Sequence, residues 1–180
     1  MPASPYCAFL RGVNLNGRRL LMADVCATFR QAGLTDVSSI LASGNICFRS
    51  TDQPADLVNR LRQTLTSDFG LDVPLVIASG EQIDQALAGV PWPPDPATTR
   101  YVFFTQPGLA EALWQAWAAV TPVEAEAAAL INGQFYWRCS KGRTLDSGFS
   151  PILGAKRFRD GITSRNLNTV VKVAARLHQI

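Results

Sequence analysis

The sequence predicts an α+β fold made of two ferredoxin-like α/β halves followed by a C-terminal amphipathic helix, and three observations lead there. Apolar runs and helical patterns alternate as β-α-β-β-α-β across residues 1–79. Part of that order, a β-α-β-β-α variant, returns after residue 98. Between the two stands P-W-P-P-D-P at 91–96, which breaks regular structure more firmly than any other stretch. We therefore expect an N-terminal half at 1–79 and a C-terminal half at 80–180, with a linker around 89–98, in one compact unit.

Each element has a local reason. Y-C-A-F-L at 6–10 is a short apolar run of the kind that makes a buried strand. Met22, Val25, Cys26 and Phe29 recur at helical spacing, and Gly33 followed by Leu34 has the pattern of a left-handed cap. V-S-S-I-L-A and I-C-F-R flank S-G-N, two strands around a tight turn in which Gly44 or Asn45 takes positive φ. Pro54 suits a first helical turn, Leu57, Val58, Leu61, Leu65 and Phe69 mark the buried face, and Gly70 ends it. P-L-V-I-A at 74–78 is the next strand, and Ser79 caps a short helix at 80–88.

In the second half Y-V-F-F-T reads as a strand and G-L-A-E-A-L-W-Q-A-W-A as a helix. Asn132-Gly133 is a strong hairpin signal between V-E-A-E-A-A-A-L-I and Q-F-Y-W-R-C. In the first of these strands the alternation of Val123, Ala125 and Ala127 with Glu124 and Glu126 predicts one wet face. Residues 140–162 carry the weakest pattern, with Ser147 as cap of a short helix near Pro151 and a basic cluster at Lys156, Arg157 and Arg159. Thr163 or Ser164 is the expected cap of the last helix.

Composition narrows the function. With 180 residues, 47% of them hydrophobic, the chain builds a core without disulfides or metals. Cys7, Cys26, Cys47 and Cys139 are widely spaced within apolar runs, which predicts buried thiols rather than a zinc site or disulfides. His178 is the one histidine, so a histidine-based metal cluster is excluded. No metal or cofactor is called for. No apolar stretch reaches membrane-spanning length and no leader pattern opens the chain, so the expected compartment is the cytoplasm, with no membrane partner. Residues 1–49 hold five basic and two acidic groups, 50–137 three and ten, and 138–180 nine and two, giving about +3, −7 and +7. Basic ends point to an anionic small molecule or a nucleic acid as partner.

Two stretches suit an anion. R-G-V-N-L-N-G at 11–17 lies between the first strand and first helix, with Arg11, Gly12, Asn14, Gly17 and Arg18 as candidates, although it is neither a dinucleotide fingerprint nor a P-loop. Counting about 100° per residue through the last helix, Arg165, Asn168, Thr169, Lys172 and Arg176 share a stripe. Leu167, Val170, Val171, Ala174 and Leu177 lie opposite, as a packing face. Asn166, Asn168 and Thr169 are poor interior helix formers, Asn costing up to about 0.7 kcal/mol against Ala, so a helix built for stability alone avoids them.

R-G-V-N-L-N-G with M-A-D-V, L-A-S-G-N-I-C-F and T-S-R-N-L-N-T-V-V-K together resemble the R-G-I-N-V-G-G, Q-S-G-N-V-V-F and T-T-R-N-W-N-T-V-x-K signatures of the uncharacterised family Domain of Unknown Function 1697. The resemblance implies two ferredoxin-like halves and no established activity. It carries over Arg11, Gly12, Asn14, Gly17, Ser43, Gly44, Asn45, Thr163, Arg165, Asn166, Asn168, Thr169 and Lys172. Asn16, Ala42 and Leu167 stand where the family has Gly, Gln and Trp, so a ligand served by those residues is bound differently here.

The leading expectation is a basic cleft where the 11–19 loop, the Ser43-Gly44-Asn45 turn and the start of the last helix converge, with Arg11 and Arg165 gripping a phosphate-bearing or other anionic ligand such as a nucleotide, sugar phosphate or nucleic acid. A second is an enzyme acting on a small phosphorylated or acyl substrate, with Ser43 or Thr163 reacting and Asp24 or Asp146 as base. A third is an interaction module with no ligand. Phe135, Tyr136 and Trp137 on one strand resemble a base-stacking platform but lack the RNA-recognition consensus, so core packing is expected of them.

Overall fold

Tyr6 to Leu10 are all buried, which makes β1 (Ser4–Leu10) the central strand of the first sheet. The protein is described by a computed structural model over residues 2–15 and 18–180, with 14, 15, 18 and 19 described by backbone alone. A short hairpin, β2 (Asn14–Leu15) and β3 (Arg18–Arg19), follows, and then α1 (Met22–Gln31), β4 (Thr35–Ser39), β5 (Asn45–Ser50), α2 (Pro54–Phe69) and β6 (Leu75–Ser79). The strands order β4-β5-β1-β6, every pair antiparallel. Tyr6, Ala8, Leu10, Ile46 and Phe48 point to one face, where α1 brings Val25 and Phe29 and α2 brings Leu57, Leu61 and Leu65. Each such fully buried side chain contributes about 1.5–3 kcal/mol.

Local chemistry sets the helix ends. Gly33 has φ +86, its N–H donates to Arg30 O (2.9 Å), and the Leu34 N–H donates to Phe29 O (3.2 Å), the double closure of a Schellman cap. Gly70 closes α2 at φ +65. Ser79 and Gln82 form a reciprocal capping box at the start of α3 (Gly80–Ala88): Gln82 N–H donates to Ser79 Oγ (3.2 Å) and Ser79 N–H to Gln82 Oε1 (2.9 Å).

Beyond the proline-rich stretch come β7 (Thr98–Thr105), α4 (Leu109–Trp117), β8 (Ala127–Ile131), β9 (Gln134–Ser140), α5 (Ser150–Leu153), a 3-10 turn at Lys156–Phe158, β10 (Ile162–Asn166) and α6 (Leu167–Leu177). Asn132 and Gly133 both take positive φ, 51° and 75°, joining β8 to β9 as the sequence predicts. The second sheet orders β10-β7-β9-β8, again antiparallel, and repeats the strand order of the first. By contacts the chain divides into two units, Met1–Asp84 with Val171–Ile180, and Gln85–Val170, so both α3 and α6 run from one unit into the other.

Four readings of the second half need correction. Thr163 and Ser164 do not cap a helix: they lie in β10, whose pairing with β7 completes the sheet. The cap is Asn166, whose Oδ1 accepts the Asn168 N–H (2.9 Å). Arg165 is therefore a strand residue outside the helical stripe, and the buried face of α6 is Leu167, Val170, Val173, Ala174 and Leu177, with Val171 52% exposed. Residues 123–126 are not strand, because Ala125 turns at φ 61° and Glu126 is buried rather than wet. Ser147 caps nothing, since its hydroxyl donates to Thr144 O (2.8 Å), and α5 begins after Phe149.

Candidate functional site

In the first unit, two of the singled-out stretches meet at one end of the sheet. Leu10 N–H donates to Gly44 O (2.7 Å), Arg11 N–H to Pro74 O (2.8 Å), and Leu20 N–H to Val13 O (2.9 Å). The start of 11–19 is thus tied to the Ser43-Gly44-Asn45 turn and to the base of β6. Gly12 (φ 72°) and Gly44 (φ 77°) both take the left-handed conformation, and a Cβ on Gly44 would lie 2.8 Å from Val13 Cγ1. Only glycine allows this approach. Asn45 is fully buried, and its Nδ2 donates to Ile40 O (2.8 Å) and to Ser43 Oγ (3.0 Å), so the amide closes the turn. Arg11 is half-buried at the same end, and Asn14 and Arg18 lie in the β2–β3 hairpin, where Asn14 pairs with Arg19 and Leu15 with Arg18. Gly17, with Asn16, lies outside the described residues.

In the second unit, β10 and the start of α6 carry Thr163, Arg165, Asn166 and Asn168. Thr163 is buried, Arg165 Nη1 donates to Ser164 O (3.0 Å), Asn166 caps α6, and Asn168 is exposed. Lys172 belongs to the first unit and is exposed on α6, one turn from Arg176, whose Nε donates to Ser38 Oγ (2.8 Å). Of the bases suggested for an enzyme, Asp146 is paired with Arg143 at 3.0 Å.

Sequence reasoning missed two clusters, both in the second unit. Glu126 accepts four hydrogen bonds: Trp137 Nε1–H and Phe149 N–H on Oε1, and Val123 N–H and Gly148 N–H on Oε2, each at 3.0 Å. This satisfied carboxylate ties the segment before β8 to the loop before α5. The second cluster is Arg100 and Arg138, Cα partners across β7 and β9. Arg100 Nη1 donates to Trp92 O (2.9 Å), and the Arg138 guanidinium carbon lies 5.2 Å from the Trp92 ring centre. The available signal was an arginine within an otherwise apolar strand, as in Y-W-R-C.

The remaining groups are structural in character. The four cysteines are free and buried. Burial pushes the Cys26 and Cys139 thiols up, whereas a hydrogen bond from Cys7, aided by the charge of Arg176, brings Cys47 down against its own burial. Burial also pushes Tyr136 up to about 12, and its hydroxyl donates to Ala86 O (2.8 Å). Phe135, Tyr136 and Trp137 are at most 2% exposed, so none offers a face to a base. A cleft of about 800 Å3 runs along α4, walled by Ala112, Ala116 and Val120 and by Ile152 of α5 and Phe158. Among the described residues no group of three or more His, Cys, Asp or Glu is placed to hold a metal ion, and no helix is long and apolar enough to cross a membrane.

No curated protein matches the chain. Among solved structures, a conserved bacterial protein from Streptococcus pneumoniae is similar over 98% of this chain and 99% of its own, with a TM-score of 0.81 at 24% identity, a likeness of fold alone. An unknown protein from Galdieria sulphuraria aligns over 99% of this chain and 93% of its own at 12% identity, with a TM-score of only 0.24. The family described as "Protein of unknown function (DUF1697)" matches residues 3–136, a span that holds the 11–17 and 41–48 stretches. The chain belongs to that family.

Proposed function

We propose that the protein binds a phosphate-bearing or other anionic small molecule at the end of the first sheet, where Arg11 and the β2–β3 hairpin adjoin the Ser43-Gly44-Asn45 turn. One observation carries this reading: Arg11, Arg18 and Arg19 fall in a single segment tied by backbone hydrogen bonds to a glycine-bearing turn, and that segment itself contains no Asp or Glu. Arginine forks suit phosphate and carboxylate oxygens, and a backbone fixed by Gly12 and Gly44 reduces the ordering cost of binding. The N–H groups of Leu10 and Arg11 are already bonded to carbonyls, so side chains supply the grip rather than a nest of amides.

The burial of Phe135, Tyr136 and Trp137 favours a small anion over a nucleic acid stacked on that strand. A reaction at Ser43 or Thr163 has no comparable support, since Ser43 Oγ is engaged by Asn45 and Thr163 is buried. Calorimetric titration with nucleotides and sugar phosphates at low salt tests the proposal. Arg11→Ala and Arg18→Ala should each weaken binding about tenfold while moving Tm by less than about 3 °C. If Arg11→Ala instead lowers Tm by several degrees and leaves affinity intact, the loop is a structural lock and the reading is wrong.

A further inference from the structure

We propose that Arg100 and Arg138, held by the Trp92 segment, form an oxyanion site that takes a phosphate or phosphomonoester dianion on the second unit's sheet. The two residues are direct partners across β7 and β9. Their neighbours Tyr101, Phe103, Phe135, Trp137 and Cys139 pack into the core against α4, so strand alternation places both arginines on the opposite face. Direct cross-strand partners bring their Cβ atoms to about 4.5–5.5 Å, and like charges so placed are destabilising unless something neutralises them. Among the described residues no carboxylate forms an ion pair with either guanidinium.

A second observation is independent of charge. The Nε–H of Arg138 is buried and has no hydrogen-bond acceptor among the described residues. A buried donor of this kind costs stability, more so when it is charged, and native proteins seldom keep one without a use. A bound oxyanion resolves both faults: it accepts from Nε–H and offsets two positive charges with two negative ones.

The arrangement is also preorganised. The Trp92 carbonyl holds Arg100 and the Trp92 ring stacks beneath Arg138, while Tyr136 ties the preceding residues through Ala86 on the same face. Ordering two long side chains beforehand lowers the cost of binding, and the planar guanidinium fork matches the spacing of phosphate oxygens. Were the arginines only anchors for residues 91–96, a neutral donor to the Trp92 carbonyl would serve as well as Arg100, without the repulsion.

This site does not rest on the one proposed at Arg11, and the variants separate them. The full chain is titrated calorimetrically with inorganic phosphate, and separately with adenosine monophosphate, at fixed ionic strength, as wild type, Arg11→Ala, Arg100→Gln, Arg100→Lys and Arg138→Gln. The expected result is a phosphate-binding component that survives Arg11→Ala, weakens at least about tenfold in Arg100→Gln and Arg138→Gln, and is partly kept in Arg100→Lys. Binding of adenosine monophosphate should tighten between about pH 5.5 and 7.5 as the ester acquires its second charge, near pH 6. Preference for the nucleotide assigns the site to phosphoesters and preference for phosphate assigns it to the free ion, and either supports it. If Arg138→Gln fails to fold, Arg100→Gln decides alone. Equal phosphate affinity in Arg100→Gln and wild type, or no binding component left after Arg11→Ala, overturns the proposal.

Discussion

Among the described residues Glu126 has no partner of opposite charge, yet it is 8% exposed and both its oxygens are occupied. Four N–H donors at 3.0 Å do for this carboxylate what a cation does elsewhere. Replacing it with glutamine keeps the shape and reverses the chemistry at one oxygen, because an NH2 group would face two N–H groups. Leaving two buried donors unpaired costs about 2–4 kcal/mol. Glu126→Gln should therefore lower Tm by roughly 5–15 °C in a thermal melt, and a shift under about 2 °C would show that solvent reaches the donors. Arg138 presents the converse: a buried donor that meets no acceptor among the described residues.

At the scale of elements, the turn between β4 and β5 shows how backbone and packing act together. Gly44 is left-handed, and its missing side chain leaves room for Leu10 and Val13. Gly44→Ala adds about 1 kcal/mol or more of backbone strain and a contact that Leu10 cannot yield. Stability should fall by about 2–4 kcal/mol in urea unfolding, whereas Gly33→Ala, with open space around its Cβ position, should show the backbone cost alone. Glycine stops, the Ser79 cap and the Asn132-Gly133 hairpin are legible in the sequence because each is decided by near neighbours along the chain. Strand β10 is not, because Thr163 to Asn166 alternate weakly and join the sheet only through β7, whose partner residues Phe104 to Tyr101 lie far earlier in the chain. Mistaking that strand for helix moved Arg165 onto a face it does not share. Glu126 was misread for a similar reason: donors from residues 137, 148 and 149 bury it, and its own neighbours give no hint of them. Of the candidate site, the 11–17 and 43–45 stretches were visible as glycine-bearing polar motifs, while the Arg100–Arg138 pairing needed the register of two strands.

For the whole molecule, charge and alkaline stability are the quantities to follow. The net charge of +3 comes from basic ends around an acidic middle, so association with anions should depend on salt more steeply than that small total suggests. The unfolded chain releases the Tyr136 proton near pH 10, the folded chain only at about 12. Being raised in the folded state, this group leaves stability intact below pH 10 and withdraws it between 10 and 12, by about 1–3 kcal/mol. Tyr136→Phe should flatten that limb in melts recorded from pH 9 to 12, and an unchanged limb would assign it to other groups. One further consequence follows from the interleaved division of the chain. The second unit is continuous, whereas the first receives Val171–Ile180 only after all of Gln85–Val170 has been made. On the ribosome, the unit whose first strands are made earliest is thus completed only after the other has been synthesised, so its folding stays provisional until Val171–Ile180 follows.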